Sequence, residues 1–156
     1  MKDFKTINWN NPQDKISRFF TVKEALWLPN WKILAIPTDS QKEIICKLAE
    51  KLDKVRDLLG PCVLHCWLRT NDTICLDPKY LHKNYNLFVG GALGSMHITG
   101  GAADFHIPSI TCDEARSLLL PKLEEFNIRL EDKPKSNWLH IDIKEVLPGM
   151  KRFFKP

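Results

Sequence analysis

The chain has 156 residues, 44% of them hydrophobic and 27% charged, and a net charge of +4 at pH 7. That length suits one domain with a real core, and the composition is that of a globular protein, not of a disordered or fibrous one. No apolar run nears the ~20 residues that span a bilayer, and no basic helix, aromatic platform or finger spacing marks a nucleic-acid binder.

The first residues, MKDFKTINWNNPQDK, are polar and lack the apolar region of a signal peptide. The expectation is a protein cytoplasmic on synthesis, which reaches a cell wall only if another factor releases it. Thr21-x-x-Glu24 is a capping box that opens a short helix through Leu28, stopped by Pro29. Ser40-x-x-Glu43 opens a long helix whose apolar positions, Ile44, Ile45, Leu48, Leu52, Val55 and Leu59, repeat at helical spacing until Gly60-Pro61.

The run Cys62 to Arg69 reads as a strand. Period two puts Cys62, Leu64, Cys66 and Leu68 toward the core, and Val63, His65, Trp67 and Arg69 on the other face. Cys62, His65 and Cys66 are close in sequence, but alternation splits them between faces, so they read as buried small residues and a lone histidine, not a zinc site. With Cys46, Cys75 and Cys112 they make five scattered cysteines, which argues against a disulfide framework. Residues 72–94 read as a long loop with at most one helical turn; such length is more often functional than accidental.

Ala102 to Ile107 is a second strand, with Ala103, Phe105 and Ile107 facing one way and Asp104 and His106 the other. Thr111-x-x-Glu114 opens a third helix along Ala115, Leu118, Leu119 and Leu123, with Pro121 predicting a kink or break. Phe126 to Leu130 is expected to pair with a third strand, Trp138 to Ile143, across the turn 131–136. In that strand Leu139, Ile141 and Ile143 form the apolar face, and Trp138, His140 and Asp142 share the opposite one. With no repeat or linker, the expectation is a single α+β domain over 1–156: helices packed on a small, mostly antiparallel sheet.

Three strands thus each carry one apolar face and one face with ionisable groups. If they share a sheet, Arg69 and His65, Asp104 and His106, and His140 and Asp142 line one cleft, with His97 just before the Gly100-Gly101 turn. Two histidines and a carboxylate from different elements, with a position left for water, form a catalytic zinc arrangement. Separately hydrogen-bonded histidines are the alternative, and spacing alone does not choose.

Ser95-x-His97-x-x-Gly100-x-Ala102-x-Asp104 resembles the signature S-x-H-x-x-G-x-A-x-D of the zinc D-Ala-D-Ala carboxypeptidase and peptidoglycan endopeptidase family, whose fold is shared with the hedgehog signalling domain. Trp138-Leu-His140-Ile-Asp142 resembles the strand that supplies the family's last ligand. Cys66-Trp67-Leu68-Arg69 aligns with its upstream S-G-x-R stretch, and the Tyr85-Asn86 and Gly90-Gly91 elements are also similar. The likeness covers about residues 60–145, with a weak extension at Phe20 to Glu24.

The resemblance implies a hedgehog/D-Ala-D-Ala peptidase-like fold, a Zn2+ cofactor held by His97, Asp104 and His140, and hydrolysis of peptide bonds in peptidoglycan stem peptides or their dipeptide precursors. Neither nucleic acid nor membrane enters as a partner. Arg69 would sit by the scissile carbonyl or a substrate carboxylate, and Ser95 would bond substrate or brace the ligand loop. Cys66-Trp67, in place of the usual small pair, would narrow the cleft.

One position departs from the pattern. Many relatives place a Glu or Asp three residues before the last histidine as general base, and here that residue is Asn137, whose carboxamide cannot take a proton. Asp142 is the first substitute, although at ~6.6 Å along a strand from His140 it could equally orient a histidine. Glu131, Asp132, His106 and His65 are further candidates. The alternative is a catalytically inactive zinc-containing binding module of the same fold, and a structural role in a phage particle is a third reading.

Overall fold

A computed structural model describes residues 2–155. The fold is α+β: helices pack on a five-stranded sheet, with a separate two-stranded ribbon near the N-terminus. The chain runs through α1 (Val22–Leu26), β1 (Trp27–Leu28), β2 (Ile33–Leu34), α2 (Asp39–Leu59), β3 (Val63–Cys66), α3 (Tyr85–Phe88), β4 (Ala102–His106), α4 (Cys112–Leu119), α5 (Leu123–Phe126), β5 (Arg129–Glu131), β6 (Leu139–Asp142) and β7 (Phe153–Phe154). The large sheet has the order β3-β4-β6-β5-β7, antiparallel except for the parallel pair β5–β7. No helix among the described residues is long and apolar enough to cross a membrane.

α2 is the main helix under the sheet. It buries Ile45, Leu48, Ala49, Leu52, Val55 and Leu59 in one cluster with Ala103 and Phe105 of β4, Leu130 of β5 and Leu139 and Ile141 of β6. Each large aliphatic side chain so buried contributes roughly 1.5–3 kcal/mol. The helix starts two residues earlier than the Ser40 box predicts. Thr38 is the N-cap, its hydroxyl accepting from the Gln41 amide while the Gln41 side chain accepts from the Thr38 amide. Gln41 Nε2 also donates to the Ile98 carbonyl at 3.0 Å, tying the start of α2 to the loop that carries His97.

Other boundaries move for local reasons. The Thr21 capping box is present, but α1 stops at Leu26 because Leu28, restricted to extended backbone by Pro29, pairs in the ribbon. Pro121 breaks the third helix into α4 and α5, joined by a 3-10 turn. Phe126 ends α5 instead of opening a strand. Asn127, left-handed at φ 51, makes the turn, and β5 begins at Arg129.

β3 departs most from simple alternation. Leu64 pairs with Phe105 and Cys66 with Asp104, leaving His65 as the extra residue of a β-bulge. A bulge turns consecutive side chains toward one face. Cys66 accordingly lies beside Arg69 on the cleft side instead of in the core, and Trp67, expected on the cleft, is fully buried with Leu68. The cleft is therefore not narrowed by an indole at that position. All five cysteines are free thiols, and burial pushes those of Cys46 and Cys62 up to about 11, away from reactivity at neutral pH.

Gly100 turns the chain between the 3-10 helix Met96–Thr99 and β4 with a left-handed φ of 81. A Cβ there would lie 2.6 Å from Ile45 Cγ1 of α2. Gly100→Ala is expected to lower stability by about 2–4 kcal/mol, from backbone strain plus overpacking. A urea midpoint unchanged from wild type would show that the loop relaxes freely.

Candidate metal centre

Three residues converge on the cleft face of the sheet. His97 enters from the 3-10 turn before β4, Asp104 from the middle of β4, and His140 from β6, where the register sets it directly opposite Asp104. Residues opposite one another on antiparallel strands have Cβ atoms ~5 Å apart, so pairing alone brings that histidine to the carboxylate. His140 Nδ1 lies 2.8 Å from Asp104 Oδ1. His97 Nε2 lies 3.3 Å from the same oxygen and 3.3 Å from His140 Nδ1. Among the described residues this is the one group of three or more such side chains whose ligand atoms are close enough to hold a single ion.

The donor chemistry fits a cation. His97 Nδ1 is 2.6 Å from the Trp67 carbonyl, which can only accept, so this nitrogen carries the ring proton. Burial holds His97 below the usual histidine range, against the pull of Asp104, so the ring is neutral and Nε2 is a bare lone pair. That lone pair, 3.3 Å from Asp104 Oδ1 and from His140 Nδ1, is open to a cation; without one, the Nδ1 proton of His140 serves both acceptors. Donors about 2.0–2.1 Å from one tetrahedral ion lie about 3.3 Å apart, close to the triangle observed.

The surroundings fix these groups. Trp67 grips the ligand loop twice, accepting from His97 and donating its Nε1 proton to the Gly100 carbonyl at 2.8 Å. Ser95 is the N-cap of the 3-10 turn and its hydroxyl accepts from the His97 amide, so it braces the loop. Arg69 donates to the second oxygen of Asp104 through Nη2 and to Cys66 Sγ through Nε, while its backbone amide bonds the His97 carbonyl. Burial would raise the Asp104 carboxyl, but His140 and His97 outweigh it and hold it far below the usual carboxylate range. Burial would depress His140, and the Asp104 and Asp142 carboxylates instead hold it up at about 9.

Asp142 does not present a free carboxylate. Arg129, opposite it on β5, donates Nε to Oδ1 and Nη2 to Oδ2, both at 2.7 Å. Oδ2 also lies 3.8 Å from His140 Nε2, behind the ring. This is the arrangement of a carboxylate that orients a ligand. Arg129 has no local signature in the sequence; only the register of the β5–β6 hairpin reveals it.

Asn137 is exposed and lines a different cavity, with His106 and Cys112. Glu131, by contrast, follows the pairs Arg129–Asp142 and Leu130–Ile141, which places it opposite His140. It lines the same cleft of about 440 Å³ as His97, Asp104, His140 and Arg69. Asp104 and Asp142 are both bound by arginine there, whereas the Glu131 carboxylate makes no hydrogen bond or ion pair among the described residues. Asp132, next along the strand, does not line this cleft. His65 and His106, expected on this cleft, instead bond each other and do not line it. No protein-family model, curated protein or solved structure matches the chain.

Proposed function

We propose that the protein is a zinc-dependent peptidase of the D-Ala-D-Ala carboxypeptidase or peptidoglycan endopeptidase type, with a hedgehog/D-Ala-D-Ala peptidase-like fold, acting on stem peptides of the bacterial cell wall or their precursors. The observation that carries this reading is the triangle of His97 Nε2, His140 Nδ1 and Asp104 Oδ1, with sides of 2.8–3.3 Å, on the wall of an open cleft. A bound zinc supplies polarisation of the scissile carbonyl and activation of water.

The chain supplies the rest. His97, His140 and Asp104 hold the metal, with Trp67, Asp142 and Arg69 fixing their orientation. Among the described residues Arg69 Nη1 has no hydrogen-bond partner, which leaves it available to the negative charge that develops on the carbonyl oxygen. Glu131 takes the proton from the attacking water and returns it to the leaving amine. Lys133 and Lys144 also line the cleft, which suits a peptide bearing a carboxylate.

The test is zinc content together with turnover of purified peptidoglycan and of D-Ala-D-Ala peptides, with and without chelator. One equivalent of zinc with chelator-sensitive cleavage is expected. One equivalent without any cleavage would leave the zinc-containing binding module. Glu131→Gln is expected to lower kcat by about 10²–10⁴-fold while retaining zinc; wild-type kcat in that variant would assign the proton to another group.

A further inference from the structure

The metal cleft does not end at Arg69. A second cavity of about 270 Å³ adjoins it, and the two share Arg69, Asp104 and Trp138 in their linings. Arg69 bonds both Asp104 and Cys66, which pair across β3 and β4. Its guanidinium is thereby held down on the sheet as a common floor, instead of rising between the two spaces. Trp138, 38% exposed, stands at the junction, with Lys133 Nζ 4.8 Å from the centre of its ring.

The far wall of this second arm is built by parts of the chain that the metal site does not use. Pro29 and Asn30 come from the turn between β1 and β2, and Tyr85 and Val89 from α3 and its end. Tyr85 is buried and pins the turn, its hydroxyl donating to Asn30 Oδ1 at 2.9 Å and accepting from the Asn30 amide at 3.3 Å. Trp31, next in the turn, packs on Tyr80, Tyr85 and Phe88 with ring centroids 4.8–5.5 Å apart. The wall is therefore in place before any ligand arrives, which spares the ligand the cost of ordering it.

Volume bears on what the arm would hold. An alanine dipeptide, even at the ~30 Å³ per heavy atom that the liquid gives one water, fills about 330 Å³. The metal cleft alone offers about 440 Å³, so a free dipeptide leaves the second arm empty. Lys133 and Lys144 line the metal cleft and not the arm, which favours a terminal carboxylate on the metal side of Arg69. The rest of a longer chain then leaves across Arg69 and Trp138.

We infer that the substrate is a peptide longer than two residues, with its C-terminal end in the metal cleft and its N-terminal part in the arm walled by Pro29, Tyr85 and Val89. This rests on the peptidase reading and narrows it to a whole stem peptide, excluding the free dipeptide precursor. Trp138 and Val89 are then specificity-determining residues.

The test is calorimetric binding of two phosphinate analogues to the zinc-loaded protein, the phosphinate replacing the scissile amide. One is alanyl-alanine alone; the other carries two further stem residues at its N-terminus. The extended analogue is expected to bind at least about tenfold more tightly, the gain from burying one more apolar side chain. Val89→Trp fills the arm, and Trp138→Ala removes a side chain too exposed for the fold to depend on it. Each is expected to lower the ratio of the two affinities by about threefold or more, with zinc retained. Equal affinities in wild type, or an unchanged ratio in both variants, overturns the assignment while the peptidase reading stands. Binding of neither analogue to the zinc-loaded protein overturns the peptidase reading and the assignment with it.

Discussion

Stripping the metal with a chelator is expected to lower the thermal midpoint of the wild-type protein by about 10 °C, and His97→Ala is expected to abolish that difference. Metal binding stabilises the folded chain by mass action, about 4 kcal/mol when free metal stands a thousandfold above its dissociation constant. In a domain of this size each kilocalorie moves the midpoint by about 2–4 °C. The site gives a reason for a large effect. Three buried or part-buried donor atoms, His97 Nε2, His140 Nδ1 and Asp104 Oδ1, converge within 3.3 Å of one another, and without a cation only the His140 proton holds them together. His97→Ala removes one metal donor of three. Its zinc content is expected to fall from one equivalent to under about a tenth, a larger loss than the ~10–100-fold that removing an outer partner costs. Equal melting of wild type with and without chelator, after dialysis against zinc, would show that the triangle holds no structural ion.

The common face of Asp104 and His140 was legible because strand alternation is a strong constraint, whereas His97, on a 3-10 turn, was singled out only by the resemblance. Asp104 and His140 are flanked by Ala103, Phe105, Leu139 and Ile141, all buried, so their side chains had to share the opposite face once the strands paired. The α2 core stripe was legible for the same reason at helical period. Three features were not. The His65–Cys66 bulge has no signature in the run Cys62 to Arg69, and its insertion exchanges the expected places of Cys66 and Trp67. The ribbon strands and β7 are two residues each, too short to show any period, and β7 contributes Phe153 and Phe154 to the sheet edge by parallel pairing. The start of α2 was ambiguous in kind, since Thr38-x-x-Gln41 and Ser40-x-x-Glu43 are overlapping capping boxes and only the packing of Gln41 against the His97 loop separates them.

The roles of Asp142 and Glu131 turned on the same issue at finer scale. Sequence placed Asp142 on the right face but could not show that Arg129 would occupy both its oxygens, because the pairing partner is set by hairpin register and not by spacing. A shift of one residue in that hairpin would turn Arg129 and Glu131 away from the cleft together. The observed register therefore supplies the clamp on Asp142 and turns Glu131, which makes no ion pair among the described residues, into the same cleft as His140.

Breaking that clamp is expected to be the most destabilising single change at the site. The Arg129 and Asp142 side chains are 10% and 3% exposed, and removing one member of a buried ion pair costs about 3–5 kcal/mol because the survivor is left uncompensated. Asp142→Asn and Arg129→Met should each fall in that range in urea unfolding, while the double variant should cost much less than their sum, giving a large coupling energy. The consequences at the metal separate orientation from catalysis. If Asp142 acts by holding the His140 ring, Asp142→Asn weakens zinc by about 10–100-fold, and Arg129→Met, which leaves the carboxylate in place but unanchored, weakens it in the same direction. If Asp142 were instead the group that takes the proton, Asp142→Asn would lose about 10²–10⁴-fold in kcat with zinc affinity untouched, and Arg129→Met would keep most of its turnover. The bidentate grip of Arg129 predicts the first pattern, in which affinity for zinc and folding stability fall together and kcat at saturating zinc recovers.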